Sequence, residues 1–299
     1  VFFDITRVRY ILALSFISGL AQAFGGPAFQ SLLPSLVPRQ HLPNAIALNS
    51  IQFNLAQAVG PAIGGVVLVG FGMAACFGLN GLSFLVVIAV LGLMRVPPPA
   101  PATRERILTE LRGGLRYVRH GGALLALTVL AFATTSLALP VRAFLPVFAN
   151  DAAHLSQMMT MLGAGAVVGA LIVAWLGQFD HMGRTLLLVQ VVFGGIVATF
   201  ALLPIGGFSY VLLFLSGAAL LMIFSLTNSL VQLTVPDELR GRVISVYLVA
   251  FRGGMPLGSL VSGYFITQFS APTVIAADGL LLSLVAAGFF VGNRQVREL

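Results

Sequence analysis

Long hydrophobic runs separated by short polar connections make up most of the chain. Nine runs are long enough to cross the hydrocarbon core of a bilayer, which takes about 20 helical residues. Helix is the only suitable structure for such runs, because lipid cannot satisfy open backbone groups and barrel strands would alternate in polarity. The predicted spans are 10–33, 44–70, 74–94, 122–149, 155–179, 185–204, 208–233, 244–268 and 272–292. The pattern predicts an all-α integral membrane fold.

One connection, residues 95–121, is much longer than the others. The proline-rich segment 97–101 ends the preceding helix. Apolar residues then recur on one helical face, namely Ile107, Leu108, Leu111, Leu115 and Val118. This pattern predicts an amphipathic helix, either lying on the inner membrane surface with its arginines at anionic lipid or packed on protein. The connection separates a partial bundle at 1–94 from a six-helix bundle at 122–299.

Two stretches of the chain resemble each other. Val37-Pro38 and Val235-Pro236 lie 198 residues apart, and each precedes a span rich in glycine and proline, at 60–65 and 253–258. Such duplication within a membrane chain is typical of two-bundle transporters. If the second bundle has six helices, the first should also have six, although only three precede the linker. We therefore expect nine helices of an intact twelve, in a sequence that lacks the front of the protein.

Composition and charge narrow the class further. Hydrophobic residues make up 58% of the chain and charged residues 8%, against about a quarter charged in soluble domains. All sixteen basic residues are arginine, and most lie in the connections, which argues against a nucleic-acid partner. Twelve of them fall on one side of the predicted topology. Because positive charge is retained inside, that side, with the C-terminus, is predicted to be cytoplasmic.

The sequence contains no pattern typical of an enzyme. It has no glycine-rich phosphate loop, and its four histidines and single Cys76 show no metal-ligand spacing. It also shows no paired nucleophile and base. We therefore expect neither catalysis nor a cofactor or metal.

Six short motifs are distributed along the chain, namely Gly26–Gln30, Leu33–Pro38, Asn44-Ala45, Val59–Gly65, Asn80–Phe84 and Val235–Val243. Together they resemble motifs of the major facilitator superfamily, in particular of its bacterial drug and siderophore exporters of the enterobactin-exporter and macrolide-efflux type. The resemblance implies a secondary active exporter of the bacterial inner membrane that works by alternating access between two bundles. It also implies export of a small amphipathic organic molecule, such as a drug or siderophore, driven by protons.

Three other functions fit parts of the same sequence. A nutrient importer of the same fold would share the duplication. The permease partner of a separate ATPase would also be a polytopic membrane protein. A non-transporting receptor or scaffold is disfavoured by the duplication.

The segment Gly60-Pro61-Ala62-Ile63-Gly64-Gly65 resembles a motif that exporters of the superfamily carry in their fifth helix. Pro61 removes one backbone hydrogen bond and favours a kink. Gly60 and Gly64 leave a smooth face for a second helix. Together with Pro256 in the second copy, these residues are predicted to serve conformational change, the alternative being simple packing.

The second-half copy of the superfamily's cytoplasmic loop motif is degenerate here. The resemblance assigns Asp180, Gly183 and Arg184 to it, with Asp180 and Arg184 able to pair as a conformational latch. The alternative is an ordinary solvated loop.

Arg252 lies inside a predicted span, where a charge is expensive unless it faces a cavity or a partner. Aligning the repeat at Pro61 and Pro256 places Gln57 opposite Arg252. In the first half one helical stripe holds Ser50, Asn54, Gln57 and Pro61. We predict that both faces line a central substrate cavity, the alternative being that Arg252 reaches toward the headgroups.

Asp278 is the carboxylate placed within a span, and it suits proton binding and release during transport. The alternative is a solvated position at the outer headgroups. Asn228 either lines the cavity or bonds across helices. Gly163, Gly165 and Gly169 are predicted to allow close helix packing.

Overall fold

The structure is a computed structural model that describes residues 10, 12–21, 25, 32, 36–38, 41–94, 107–177, 179–203, 206–236 and 239–299. Every regular element within these residues is a helix, and we number the helices in chain order. They are α1 (Leu12–Ala21), α2 (Leu42–Leu93), α3 (Ile107–His120), α4 (Gly122–Leu137), α5 (Pro140–Phe148), α6 (Ala152–Leu176), α7 (Met182–Leu202), α8 (Gly207–Thr234), α9 (Arg240–Gln268), α10 (Ala271–Gly292) and α11 (Arg294–Arg297).

Seven of the nine predicted spans correspond to helices that are long and apolar enough to cross a membrane, counted over the described residues. They are Gly70–Leu93, Gly122–Phe148, Ala152–Leu176, Met182–Leu202, Gly207–Thr234, Val243–Gln268 and Ala271–Gly292. The predicted span 10–33 is described mainly at α1, and the predicted span 44–70 lies in the first part of α2. The all-helical membrane class is confirmed, whereas the count of nine helices out of twelve stays a prediction.

The chain divides into two compact units, Val1–Ala102 and Thr103–Leu299. In the first unit, α2 runs through both predicted spans and is interrupted at Gly72, which has φ +79°. That left-handed conformation carries no Cβ penalty at glycine. The break therefore falls at Gly72, between the two predicted spans, while the backbone at Pro61 remains helical.

The second unit begins with α3, which packs against α9 and α4. Val118 on α3 is buried at 2% exposure, whereas Leu115 is 57% exposed. The Val118 side of α3 therefore packs on protein, and the location of this helix on the inner membrane surface stays a prediction. The side chains of Ile107, Leu108 and Leu111 lie outside the described residues.

The span predicted at 122–149 is two helices with a short break. α4 ends at Leu137, and Pro140 occupies the first turn of α5. Proline suits that position because the first turn of a helix does not use its N–H group.

Three helix pairs form the core of the second unit: α6 with α8, α7 with α10, and α4 with α9. In the first pair, a Cβ added to Gly165 would collide with the carbonyl of Phe214, and one added to Gly169 would collide with Ala218. Such contacts require glycine, because any side chain would push the helices apart. The close packing predicted for Gly165 and Gly169 is confirmed.

Candidate functional site

A pocket of about 290 Å³ opens between α8 and α9 in the second unit. Its lining residues are Phe224, Ser225, Asn228, Tyr247, Leu248 and Phe251. α8 and α9 pack together only sparsely compared with the three core pairs, which leaves room for this space.

Aromatic rings form one part of the pocket lining. The rings of Phe224 and Phe251 meet edge to face across the two helices, with centroids 4.9 Å apart. Tyr247 and Phe251 extend the cluster along α9, at 5.8 Å. Both separations are within the 4.5–7 Å range of favourable aromatic pairs.

Polar groups form the rest of the lining. The Ser225 hydroxyl, the Asn228 amide and the Tyr247 hydroxyl have no hydrogen-bond partner among the described residues. Asn228 is exposed, so its amide is available to water or to a bound molecule. The pocket therefore combines aromatic surface with unused donors and acceptors.

Arg252 lies one helical turn after the lining residue Leu248, so it flanks the pocket on the Leu248 side of α9. Its side chain is exposed, and no ion pair to it occurs within the described part of the chain. A guanidinium at the centre of a membrane helix costs about 2.5–3.5 kcal/mol in lipid. This cost favours an aqueous surface on that side of α9.

The stripe of α9 that carries Tyr247 and Phe251 continues along the helix into close packing with α4. A Cβ at Gly254 would collide with the Thr135 hydroxyl, and one at Gly258 would collide with the Ser136 carbonyl on α4. Pro256 lies between these glycines, inside the helix and exposed. The second copy of the glycine and proline segment, residues 253–258, therefore forms the close contact between α9 and α4.

Asp278 on α10 accepts a hydrogen bond of 2.7 Å from the hydroxyl of Ser262 on α9. Ser262 is 2% exposed and Asp278 is half-buried. The sequence analysis found the carboxylate but missed its partner, because nothing in either helix alone specifies which serine faces it.

The first-half candidates are described only in part. Ser50, Asn54 and Gln57 lie on the helical backbone of α2, but their side chains, like that of Pro61, lie outside the described residues, as does the packing of Gly65. Gly60 and Gly64 are exposed, and a Cβ added to either would meet no described atom within 4 Å. The pairing of the Gln57 and Arg252 faces stays a prediction.

The loop motif has a structural glycine. Gly183 is buried, and a Cβ there would collide with the carbonyl of Val296 on α11. Asp180 and Arg184 are both exposed and form no ion pair with each other in the described structure. In this conformation Gly183 allows α11 to pack closely against α7. The predicted pairing of Asp180 with Arg184 as a conformational latch stays a prediction.

Sequence analysis also missed a buried polar pair in the core. Gln190 on α7 is fully buried and donates from Nε2 to Thr134 Oγ1 on α4 at 2.7 Å. Its Oε1 atom is buried without a partner. The sequence feature that could have indicated this pair is the lone glutamine inside the predicted span 185–204.

Metal-ligating side chains do not converge in the described ranges. No group of three or more His, Cys, Asp or Glu residues there has the arrangement to hold a metal ion.

Comparison with known proteins identifies the family. The family described as "Transmembrane secretion effector" matches residues 1–298. The multidrug efflux pump Tap of Mycolicibacterium fortuitum is 27% identical over 271 residues, covering 87% of this chain and 66% of the pump. The enterobactin exporter EntS of Shigella boydii serotype 18 is 27% identical over 284 residues, covering 92% of this chain and 67% of the exporter. EntS of Escherichia coli O1:K1 is 26% identical, with the same coverage.

The chain thus spans about two thirds of the length of these relatives. The match extends through both units, including the α8–α9 pocket and the close glycine contacts. The resemblance inferred from the motifs is therefore confirmed, and the chain belongs to the transmembrane secretion effector family of the major facilitator superfamily, a family of membrane transporters and not of enzymes.

Proposed function

We propose that the protein exports a small amphipathic organic molecule across the bacterial inner membrane by alternating access. The observation that carries this proposal is the exposed Arg252 guanidinium within a membrane helix, one helical turn from Leu248 of the α8–α9 pocket. Such a charge serves a polar pathway better than a lipid contact. The relatives named as an efflux pump and an exporter support the outward direction.

The packing of the second unit suits this function. Glycine contacts bind α6 to α8 and α9 to α4, so these pairs move as rigid units. The substrate would contact the Arg252 side of α9 in the second unit. Rocking of the two bundles would then open that site to each side in turn.

The test is transport by the full-length protein in inverted membrane vesicles, with Arg252→Gln compared at equal expression. We expect at least a tenfold loss in export rate, because the charge that meets the substrate is gone. Arg142→Gln is the matched control, since Arg142 is also an exposed arginine within a membrane span and lies away from the pocket. Unchanged export of every tested substrate by Arg252→Gln would refute the assignment.

We further propose that Asp278 takes part in proton coupling. Its half-buried carboxylate and its bond to Ser262 link α10 to α9, the helix that carries Arg252. Proton uptake would remove the negative charge, change how strongly the carboxylate accepts this bond and so alter how α9 is held.

The corresponding experiment compares Asp278→Asn with wild type in vesicles energised by a pH gradient. We expect slow gradient-driven export with substrate binding retained, because asparagine keeps a hydrogen-bond acceptor for Ser262 but cannot ionise. Ser262→Ala removes the bond but keeps the ionisable carboxylate, so it should also weaken the dependence of export on the pH gradient, because Asp278 then no longer holds α9. Normal gradient-driven export by Asp278→Asn would exclude the role.

A further inference from the structure

The α8–α9 pocket has a composition that selects a chemical class of ligand. Its volume of about 290 Å³ is at the lower end of ligand pockets, so it has room for one ring system and not for a whole large molecule. Resting on the proposed function, we infer that this pocket receives a flat aromatic group of the exported molecule, with hydroxyl or carbonyl substituents on its edge and an acidic group at Arg252.

The aromatic part of the inference comes from the three rings. Phe224, Phe251 and Tyr247 already contact one another at centroid distances of 4.9 and 5.8 Å. A ligand ring entering the space beside them would add a further member at the same spacing. Aromatic neighbours favour such a ring over a saturated one of equal size, because ring edges and faces attract electrostatically.

The polar substituents follow from the unused hydrogen-bonding groups. Ser225, Asn228 and Tyr247 offer two hydroxyls and one amide, none of which has a partner in the described structure. A bare hydrocarbon would displace water from these groups and leave them unsatisfied, which disfavours its binding. A ring with hydroxyl or carbonyl groups on its edge would satisfy them.

The acidic group of the ligand is inferred from the positive charge of Arg252. Arg252 lies one helical turn from the lining residue Leu248, and none of the six lining residues is acidic. A carboxylate can form a charge-assisted, bidentate contact with a guanidinium, and a phenolate can form a charge-assisted contact through its single oxygen. A cationic ligand of the same shape would meet repulsion instead.

Binding to the full-length protein in lipid nanodiscs tests the inference directly. The probes are 3-hydroxy-2-naphthoate, its fully saturated ring analogue, its carboxamide, and 2-naphthoate without the hydroxyl group. We expect the hydroxynaphthoate to bind more tightly than each of the other three, by roughly three- to tenfold for the ring comparison. Equal binding of the aromatic and saturated acids to the wild-type protein would overturn the inference.

Two substitutions assign the preference to this pocket. Phe251→Leu should weaken binding of the aromatic acid by roughly three- to tenfold and leave the saturated acid unchanged. Arg252→Gln should abolish the preference for the acid over the carboxamide. Phe265→Leu is the control, because Phe265 is an exposed phenylalanine on the same helix, outside the pocket. If Phe265→Leu has the same effect as Phe251→Leu, the pocket is not the site.

A third variant keeps the test decisive if Phe251→Leu does not fold. Asn228→Leu changes an exposed position and should remove the preference for the hydroxylated over the unsubstituted naphthoate. Retention of that preference would contradict the assignment. Binding with the expected preferences but without transport of any probe in vesicles would instead refute the proposed function while supporting the pocket.

Discussion

Close contact between α7 and α10 makes a quantitative prediction for Gly279→Ala. A Cβ at Gly279 would lie 2.6 Å from the carbonyl oxygen of Gly194, 3.0 Å from Ala198 N and 3.3 Å from Val197 Cβ. Ordinary contact begins at about 3.4 Å, so the two helices must separate by about 0.8 Å at this point. The nearest atoms belong to backbone, so they cannot rotate away as a side chain would.

The expected cost combines two opposing terms. Overpacking of a close-packed interior costs about 1–3 kcal/mol, and replacing glycine by alanine in a helix returns up to about 1 kcal/mol. The steric term exceeds the propensity term, because three separate contacts are compressed. We therefore expect Gly279→Ala to destabilise the protein by about 1–2 kcal/mol.

Gly288→Ala provides the matched control on the same helix. A Cβ at Gly288 meets no described atom within 4 Å, so only the propensity gain remains. The measurement is the free energy of unfolding of each full-length variant in one detergent, with thermal midpoints under a single heating rate as a second readout. The two variants should shift in opposite directions.

The pair Gly194→Ala and Gly279→Ala adds a test of the shared contact. Once one substitution has separated the helices, the second should cost less than it does alone. Equal stability of Gly279→Ala and Gly288→Ala, or full additivity of the double variant, would refute the packing argument.

Two further predictions concern the core and the C-terminal helix. Thr134→Val should destabilise the protein by about 1–3 kcal/mol, since it leaves the buried Gln190 amide without its partner. Gln190→Leu should cost less because it also removes the orphaned Oε1, and the opposite order of the two unfolding free energies would contradict this account. Gly183→Ala should push Val296 and the rest of α11 away from α7 and speed limited proteolysis at α11, whereas an unchanged cleavage rate would show that other contacts hold α11 in place.

The sequence was sufficient to predict those features that depend on a single helix. Run length alone located seven of the observed membrane helices, because crossing the hydrocarbon core requires a minimum number of apolar residues. The small residues at Gly165 and Gly169 indicated close packing without naming the partner helix. The motifs identified the family, since they extend over the whole chain.

Contacts between helices could not be predicted from features of a single helix. Membrane helices are hydrophobic all round, so periodicity does not reveal how each one is rotated. The bond between Ser262 and Asp278 and the bond between Gln190 and Thr134 depend on that rotation. The break before Pro140 was hidden for a related reason, because the hydrophobic run continues through it.

The uneven packing of the second unit has a mechanical consequence. Where glycines bring the backbones of α6 and α8, or of α4 and α9, into direct contact, the bundle is stiff. The boundary between α8 and α9 lacks this close packing. Deformation of the bundle therefore requires less work along that boundary than where the glycines bring the backbones together. A molecule bound beside Phe224 and Phe251 would push on this more compliant boundary, and part of its binding energy would appear as strain on α9.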